Sequence, residues 1–302
     1  MNNTNHHVTL LDGGMGMELT RRSAAAEAVP LWSAQVMMDE PQLVEDVHRE
    51  FIEAGAEIVT LNTYAATPRR LLRNGYGDIT ETLHTEAVRI ARAARAAAGR
   101  DVRIAGCLSP VVQSYRAEKV PAYGEALAEF RHLSALQAPH VDLIIAETMT
   151  SIGEGLAATV AARETGLSCW TAFTVDDADG TLLRSGEPVI AAFAAARAAG
   201  ASALLLNCSR PEAITAGLAA VVAEMPDLGL PLGAYANGFV SIAALDSDRS
   251  VDVLETRTDL SPADYAAHAM RWVTLGATIV GGCCEVGPAH IAAIAAELKL
   301  AA

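Results

Sequence analysis

Three cysteines carry the strongest chemical signal in this 302-residue chain. Cys208 stands in the apolar run Ala203 to Ser209, and the vicinal pair Cys283-Cys284 closes the run Thr278 to Cys284. Thiolates select soft or borderline ions, zinc first; four protein ligands make a structural site, whereas three leave a position open to substrate or water. Gly281 and Gly282 precede the pair. They free the backbone to turn so that both neighbouring sulfurs can point inward, which a regular strand forbids. Three other roles stay open on the residues alone: small buried hydrophobe, strained vicinal disulfide, or filler of interior layers. Cys107 and Cys169 are expected to be core residues.

Other unusual residues fall at the ends of apolar runs in the same way. They are Asp12-Gly13-Gly14, Asn62-Thr63-Tyr64, Glu147-Thr148, Asn207 and Asn237. The runs themselves, Val8 to Asp12, Glu57 to Asn62, Arg103 to Ser109, Asp142 to Thr148, Ser168 to Thr174, Ala203 to Ser209, Pro231 to Asn237 and Thr278 to Cys284, have the length and composition of buried strands. Between them lie stretches of helical period: Pro41 to Ala54, Ile79 to Ala98, Gly124 to Ala138, Ile152 to Thr165, Glu187 to Ala199, Pro211 to Glu224, Pro262 to Leu275 and Pro288 to Leu298. Pro41, Pro211, Pro262 and Pro288 suit first helical turns, and Gly55, Gly166, Gly200 and Gly276 suit the position after a last turn. Apolar strands each returned by a helix predict a parallel sheet covered on both faces. At roughly 38 residues per unit, eight units fill the chain as one α/β domain, a (β/α)8 TIM barrel over residues 1–302 with 1–7 as a tail. An open doubly wound sheet is the rival, but DGGMGMEL lacks the G-x-G-x-x-G spacing that would follow its first strand. In a closed barrel the strand ends ring one mouth, where sites of this fold are built. Thr20 to Glu40, Val111 to Tyr123 and Phe239 to Ser261 are longer than a connection needs and are lid candidates.

Composition narrows the classes. The chain is 51% hydrophobic and 19% charged, which excludes bulk disorder, and no apolar run reaches the ~20 residues of a membrane span. A formal charge of −14 argues against nucleic acid as a partner. Five scattered cysteines do not make a secreted disulfide framework, and MNNTNHH has neither the basic nor the apolar segment of a signal peptide, so the cytoplasm is expected. Oligomeric state is not legible.

The motifs together resemble one family, the zinc-dependent homocysteine S-methyltransferases, which include S-methylmethionine and betaine enzymes. The similarity runs through LLDGGMGMEL (Leu10 to Leu19), LWSA (Leu31 to Ala34), NTYAAT (Asn62 to Thr67), AET (Ala146 to Thr148), LLLNCS (Leu204 to Ser209) and GGCCEVGPAHI (Gly281 to Ile291). The resemblance implies zinc on Cys208, Cys283 and Cys284, and methyl transfer to the thiol of homocysteine, forming methionine. It implies that Asp12 and Glu147 take the homocysteine ammonium and that the Gly13 and Gly14 amides take its carboxylate. Tyr64 resembles a tyrosine that fills the open zinc position in some members, and Asn62 belongs to the same substrate-binding shell. Singly, Asp12 is also an ordinary turn residue and Glu147 an ordinary helix N-terminal carboxylate; Tyr64 is also an ordinary rim residue.

Zinc coordination deprotonates a thiol that is otherwise mostly protonated at neutral pH, so no side-chain general base is needed. The methyl donor is expected to be a small onium compound, S-methylmethionine or S-adenosylmethionine ahead of betaine. Aromatic faces suit such a cation; Trp32, Trp170, Tyr115 and Phe239 are candidates, while Trp272 is expected away from the mouth. GGCCEVGPAHI departs from the Thr-rich ending of many relatives, and Tyr235-Ala236-Asn237 stands where Tyr-Pro-Asn is common, which bears on the donor. The alternatives are another small thiol or selenol as acceptor, or a non-catalytic barrel that binds an amino acid or metal.

Overall fold

The computed structural model describes residues 7–24, 31, 33–245 and 254–301. Eight parallel strands form the sheet: β1 (Thr9–Leu10), β2 (Ile58–Thr60), β3 (Arg103–Leu108), β4 (Leu143–Met149), β5 (Cys169–Phe173), β6 (Ala203–Asn207), β7 (Leu232–Tyr235) and β8 (Ile279–Val280). Neighbours follow the order β1-β8-β7-β6-β5-β4-β3-β2. A parallel bridge between Leu11 and Ile58 joins the two ends, with the Asp12 amide donating to the Ile58 carbonyl at 3.1 Å. The ring is therefore the expected TIM barrel.

Side-chain alternation sorts each strand into two layers. Leu11, Ile58, Ala105, Ile145, Ala172, Leu205 and Ile279 fill the barrel. Leu10, Val59, Ile104, Ile144, Phe173, Leu204 and Val280 face outward into a second core beneath the helices. Seven helices return the chain as expected: α3 (Pro41–Ala54), α5 (Thr80–Ala97), α6 (Tyr123–Gln137), α7 (Ile152–Glu164), α8 (Val189–Ala198), α9 (Pro211–Glu224) and α10 (Pro262–Thr274), with α11 (Pro288–Ala301) closing the set. Gly55, Gly166, Gly200 and Gly276 have φ between 86° and 118°, the left-handed conformation that ends a helix at little cost when no Cβ is present. Ser261 begins α10 with a reciprocal capping box to Asp264.

Three short helices were not expected from periodicity: α1 (Met15–Arg22), α2 (Ser33–Asp39) and α4 (Pro68–Arg73). All three lie in connections on the mouth side. The β5–α8 connection is also longer than its sequence suggested, folding into a small antiparallel excursion with bridges Val175–Leu183 and Leu182–Pro188. His7, expected in the tail, instead sets its ring against Glu57 at 2.8 Å; residues 1–6 lie outside the described residues. Among the described residues, no helix is long and apolar enough to cross a membrane.

Candidate active site

The Cys208 and Cys283 sulfurs lie 2.8 Å apart, and those of Cys208 and Cys284 lie 3.9 Å apart. All three fall within 4.8 Å of one another, a group of three potential metal ligands. Sulfurs on a tetrahedral zinc at the usual bond length of about 2.3 Å stand about 3.8 Å apart; the Cys208–Cys284 spacing matches this, and the Cys208–Cys283 pair would widen by about 1 Å to share an ion. A disulfide needs about 2.05 Å, and all five cysteines are free. Burial pushes the Cys208 thiol up, but hydrogen bonds from Cys283, Cys284 and Tyr115 outweigh it and hold Cys208 well below the ordinary thiol range.

The turn that presents the vicinal pair is not made as expected. Neither Gly281 nor Gly282 has positive φ; the left-handed residue is Glu285, at φ 68° after the pair. The glycines serve close approach instead. A Cβ on Gly282 would meet Val286, and one on Gly14 would meet the Cys283 carbonyl. The two loops are sewn backbone to backbone, the Gly282 amide donating to the Asp12 carbonyl (2.9 Å) and the Gly14 amide to the Val286 carbonyl (2.8 Å). This engagement corrects one expectation, because the Gly14 amide is already committed and does not point a free donor at a carboxylate. The Gly13 amide has no partner among the described residues. Arg21 of α1 fixes the far side of the turn by pairing with Glu285 at 2.6 Å.

Two carboxylates share the cavity with the sulfurs. Asp12 follows β1 and accepts from the Thr60 amide (2.8 Å) and hydroxyl (3.2 Å). Burial, strengthened by the charge of Glu147 and opposed by the Thr60 amide, pushes Asp12 up to about 7. Glu147 is likewise pushed up to about 7 by burial and the nearby Cys208 charge, against a hydrogen bond from Cys107. Cys107 is thus buried as expected, but in the barrel interior against Glu147.

Strand β4 changes register here. Ala146 pairs with Thr171 and Met149 with Phe173, so β4 spends three steps where β5 spends two, a bulge of the kind that re-aims side chains beside active sites. Thr148 in the bulge has φ 63°. For a β-branched residue that conformation costs about 1–3 kcal/mol. Two buried hydrogen bonds with Asn207, at about 1 kcal/mol each, are of the size needed to offset it.

Tyr64, Asn62, Ser33, Ser114, Tyr115 and Met15 complete much of an open cavity of about 850 Å³, which Asp12, Gly13, Gly14, Glu147 and the three cysteines also line. Asn62 donates to the Ser33 carbonyl at 3.0 Å and so fastens the start of α2. The Tyr64 hydroxyl lies 2.8 Å from that of Ser114. Tyr115, considered in sequence only as an aromatic face, brings its hydroxyl to 2.9 Å from Cys208. Its φ of 63° and the Arg184 guanidinium 5.6 Å from its ring centre were not readable from spacing.

The other aromatic candidates divide. Phe239 packs with Tyr115 and Cys208, and its backbone bridges Thr256, so the described part of the β7–α10 connection leans on the sulfur cluster. Trp170 points into the barrel near Arg103, the first residue of β3, at the end away from the mouth. Trp272 packs edge-on to Tyr265 on α10, away from the mouth as expected. Trp32 lies outside the described residues.

The family model described as homocysteine S-methyltransferase matches residues 9–298. The homocysteine S-methyltransferase of Escherichia coli is 29% identical, over 96% of this chain and 95% of that protein. A selenocysteine Se-methyltransferase of Brassica oleracea is 28% identical, over 94% of this chain and 87% of the relative. The metallated form of the homocysteine methyltransferase MmuM from Escherichia coli superposes with a TM-score of 0.78 at 28% identity, covering 96% of each chain.

Proposed function

The chain belongs to the homocysteine S-methyltransferase family, and we propose that it moves a methyl group from a small onium donor to the thiol of L-homocysteine, forming methionine. S-methylmethionine or S-adenosylmethionine is preferred as donor, betaine next. The convergence of three free thiols and two buried carboxylates on one cavity carries this assignment. Cys208, Cys283 and Cys284 would hold zinc, a donor set that suits the similarity to a metallated relative. Held there, zinc would supply the Lewis acidity that favours the thiolate form of the substrate near neutral pH.

Asp12 and Glu147 receive the homocysteine ammonium. Because both lie near pH 7 when the cavity is empty, an arriving cation favours their charged forms and draws off the protons they hold. The Gly13 amide takes the carboxylate. Tyr64 and Asn62 shape the wall beside the sulfur, Asn62 by holding α2 in place. Tyr115 and Phe239 pack around Cys208 and keep water from the reacting atoms. During transfer the substrate sulfur forms the new bond to the methyl carbon as the donor's onium–carbon bond breaks. The donor then leaves neutral, and no side chain has to move a proton in that step.

The test is to purify the protein under reducing conditions, measure zinc, and assay methionine formation from homocysteine with each donor separately. Stoichiometric zinc and turnover with one donor are expected; full activity without zinc would overturn the assignment. A second acceptor class, a small selenol, is supported by the similarity to the selenocysteine enzyme, and the same assay with selenocysteine decides it. Metal without turnover on any pair would leave a binding barrel.

A further inference from the structure

We propose that Asn207 is a positioning residue that sets the distance between the two ends of the acceptor, and so the acceptor chain length the site prefers. This rests on the assignment of Glu147 to the ammonium and Cys208 to the metal. Asn207 is the chain neighbour of Cys208, and its side chain grips the neighbour of Glu147. The Asn207 Oδ1 accepts from the Thr148 amide at 3.0 Å, and its Nδ2 donates to the Thr148 hydroxyl at 2.9 Å. Strand β5 lies between β4 and β6. The Asn207 side chain therefore reaches over the end of an intervening strand, a link that no ladder hydrogen bond duplicates. Both residues are fully buried.

What Asn207 grips is the bulge itself. Alternation turns Glu147 into the barrel with Ile145, and the extra residue that follows it returns Met149 to the outer core, so the bulge holds the end of β4 on which Glu147 stands. It also requires Thr148 to keep φ at 63°, a conformation a β-branched residue adopts only when its surroundings impose it. Without Asn207, the Thr148 amide loses its partner and the Thr148 hydroxyl keeps only its contact with Tyr64, and Glu147 loses its fixed offset from the sulfurs. Homocysteine has one methylene more than cysteine between its amine-bearing carbon and its sulfur. One methylene changes the reach by only about 1.2 Å, yet a misplacement of about 1 Å can cost roughly 100-fold in rate.

The test compares wild type, Asn207→Ala, Thr148→Val and the double variant Asn207→Ala/Thr148→Gly in the full chain. KM, kcat/KM for homocysteine against cysteine, zinc content and circular dichroism are measured for each. Asn207→Ala is expected to raise KM for homocysteine about 30-fold, the size of a lost pair of buried hydrogen bonds, and to compress the homocysteine-to-cysteine preference by a similar factor. Thr148→Val keeps the side-chain shape and removes one of the two bonds, so it shifts both quantities less and in the same direction. Glycine adopts positive φ without a Cβ penalty, so the double variant recovers part of the preference. An unchanged preference in folded, zinc-loaded Asn207→Ala or Thr148→Val overturns the proposal, as does a double variant no better than Asn207→Ala. Glu147→Gln separates the two levels: if it leaves KM unaltered, the underlying assignment of Glu147 fails. If it raises KM while Asn207→Ala does not, only the role of Asn207 fails.

Discussion

Replacing any one of Cys208, Cys283 or Cys284 by serine removes one of the sulfurs proposed to hold zinc while leaving the local shape nearly intact. Each change is expected to abolish both metal retention and turnover, whereas Cys107→Ala and Cys169→Ala leave stoichiometric metal in place; metal analysis of the five variants checks this. Cys107→Ala should still weaken homocysteine binding, because its thiol bonds Glu147. Asp12 makes a prediction of a different kind. Its folded value of about 7 exceeds the ordinary carboxylate value, so in the empty protein it holds a proton that the unfolded chain releases. The stability this adds is complete below pH of about 4 and lost as pH rises through about 7. The melting temperature of the substrate-free protein should therefore fall between pH 5 and 8, and Asp12→Asn should flatten that slope; an equal slope in the variant contradicts the placement of Asp12. At this scale the motifs named most of the cavity residues, because thiols and carboxylates at strand ends stand out against apolar runs. Tyr115 did not stand out as a partner of sulfur, since its contact with Cys208 spans 93 positions and depends on its own left-handed backbone.

Between elements, the loop after β1 fits tightly against the loop after β8. Gly14→Ala drives a methyl group at the Cys283 carbonyl and is expected to destabilise the fold by about 1–3 kcal/mol and to weaken metal retention. Gly153→Ala, in α7 with nothing within 4 Å of the new carbon, should be neutral or stabilise by up to about 1 kcal/mol. Denaturant melts and metal competition distinguish the two. The eight strands and their returning helices were legible because alternating layers and the Pro and Gly at helix ends mark them in sequence. α1 and α2 were not, since their apolar positions serve a curved wall and α1 begins on glycines with no side-chain cap. The β4 bulge was equally hidden. Nothing in Ala146-Glu147-Thr148 announces an extra residue, and the partner that requires it, Asn207, is two strands away.

Across the whole molecule, the sulfur cluster ties β6 to β8, and the Asp12 and Val286 contacts tie the first connection to the last. A ligand that binds only this folded arrangement stabilises all of it by mass action. Chelation is therefore expected to lower the melting temperature of the entire barrel and not only to loosen the mouth, and calorimetry with and without chelator tests it. Mild oxidant should release metal and lower the same transition, with reductant restoring both, because sulfurs 2.8 Å apart are ready to couple. Unchanged metal content after oxidant would indicate a protected site. Among the described residues, the four non-glycine residues with left-handed backbone, Tyr115, Thr148, Cys208 and Glu285, all stand at or beyond the carboxyl ends of strands, on the mouth side. For anyone seeking a hardier variant, these are the positions where glycine relieves strain most directly and where it does the most harm. Robustness is better sought among the helices of the outer ring, leaving the tension at the rim untouched.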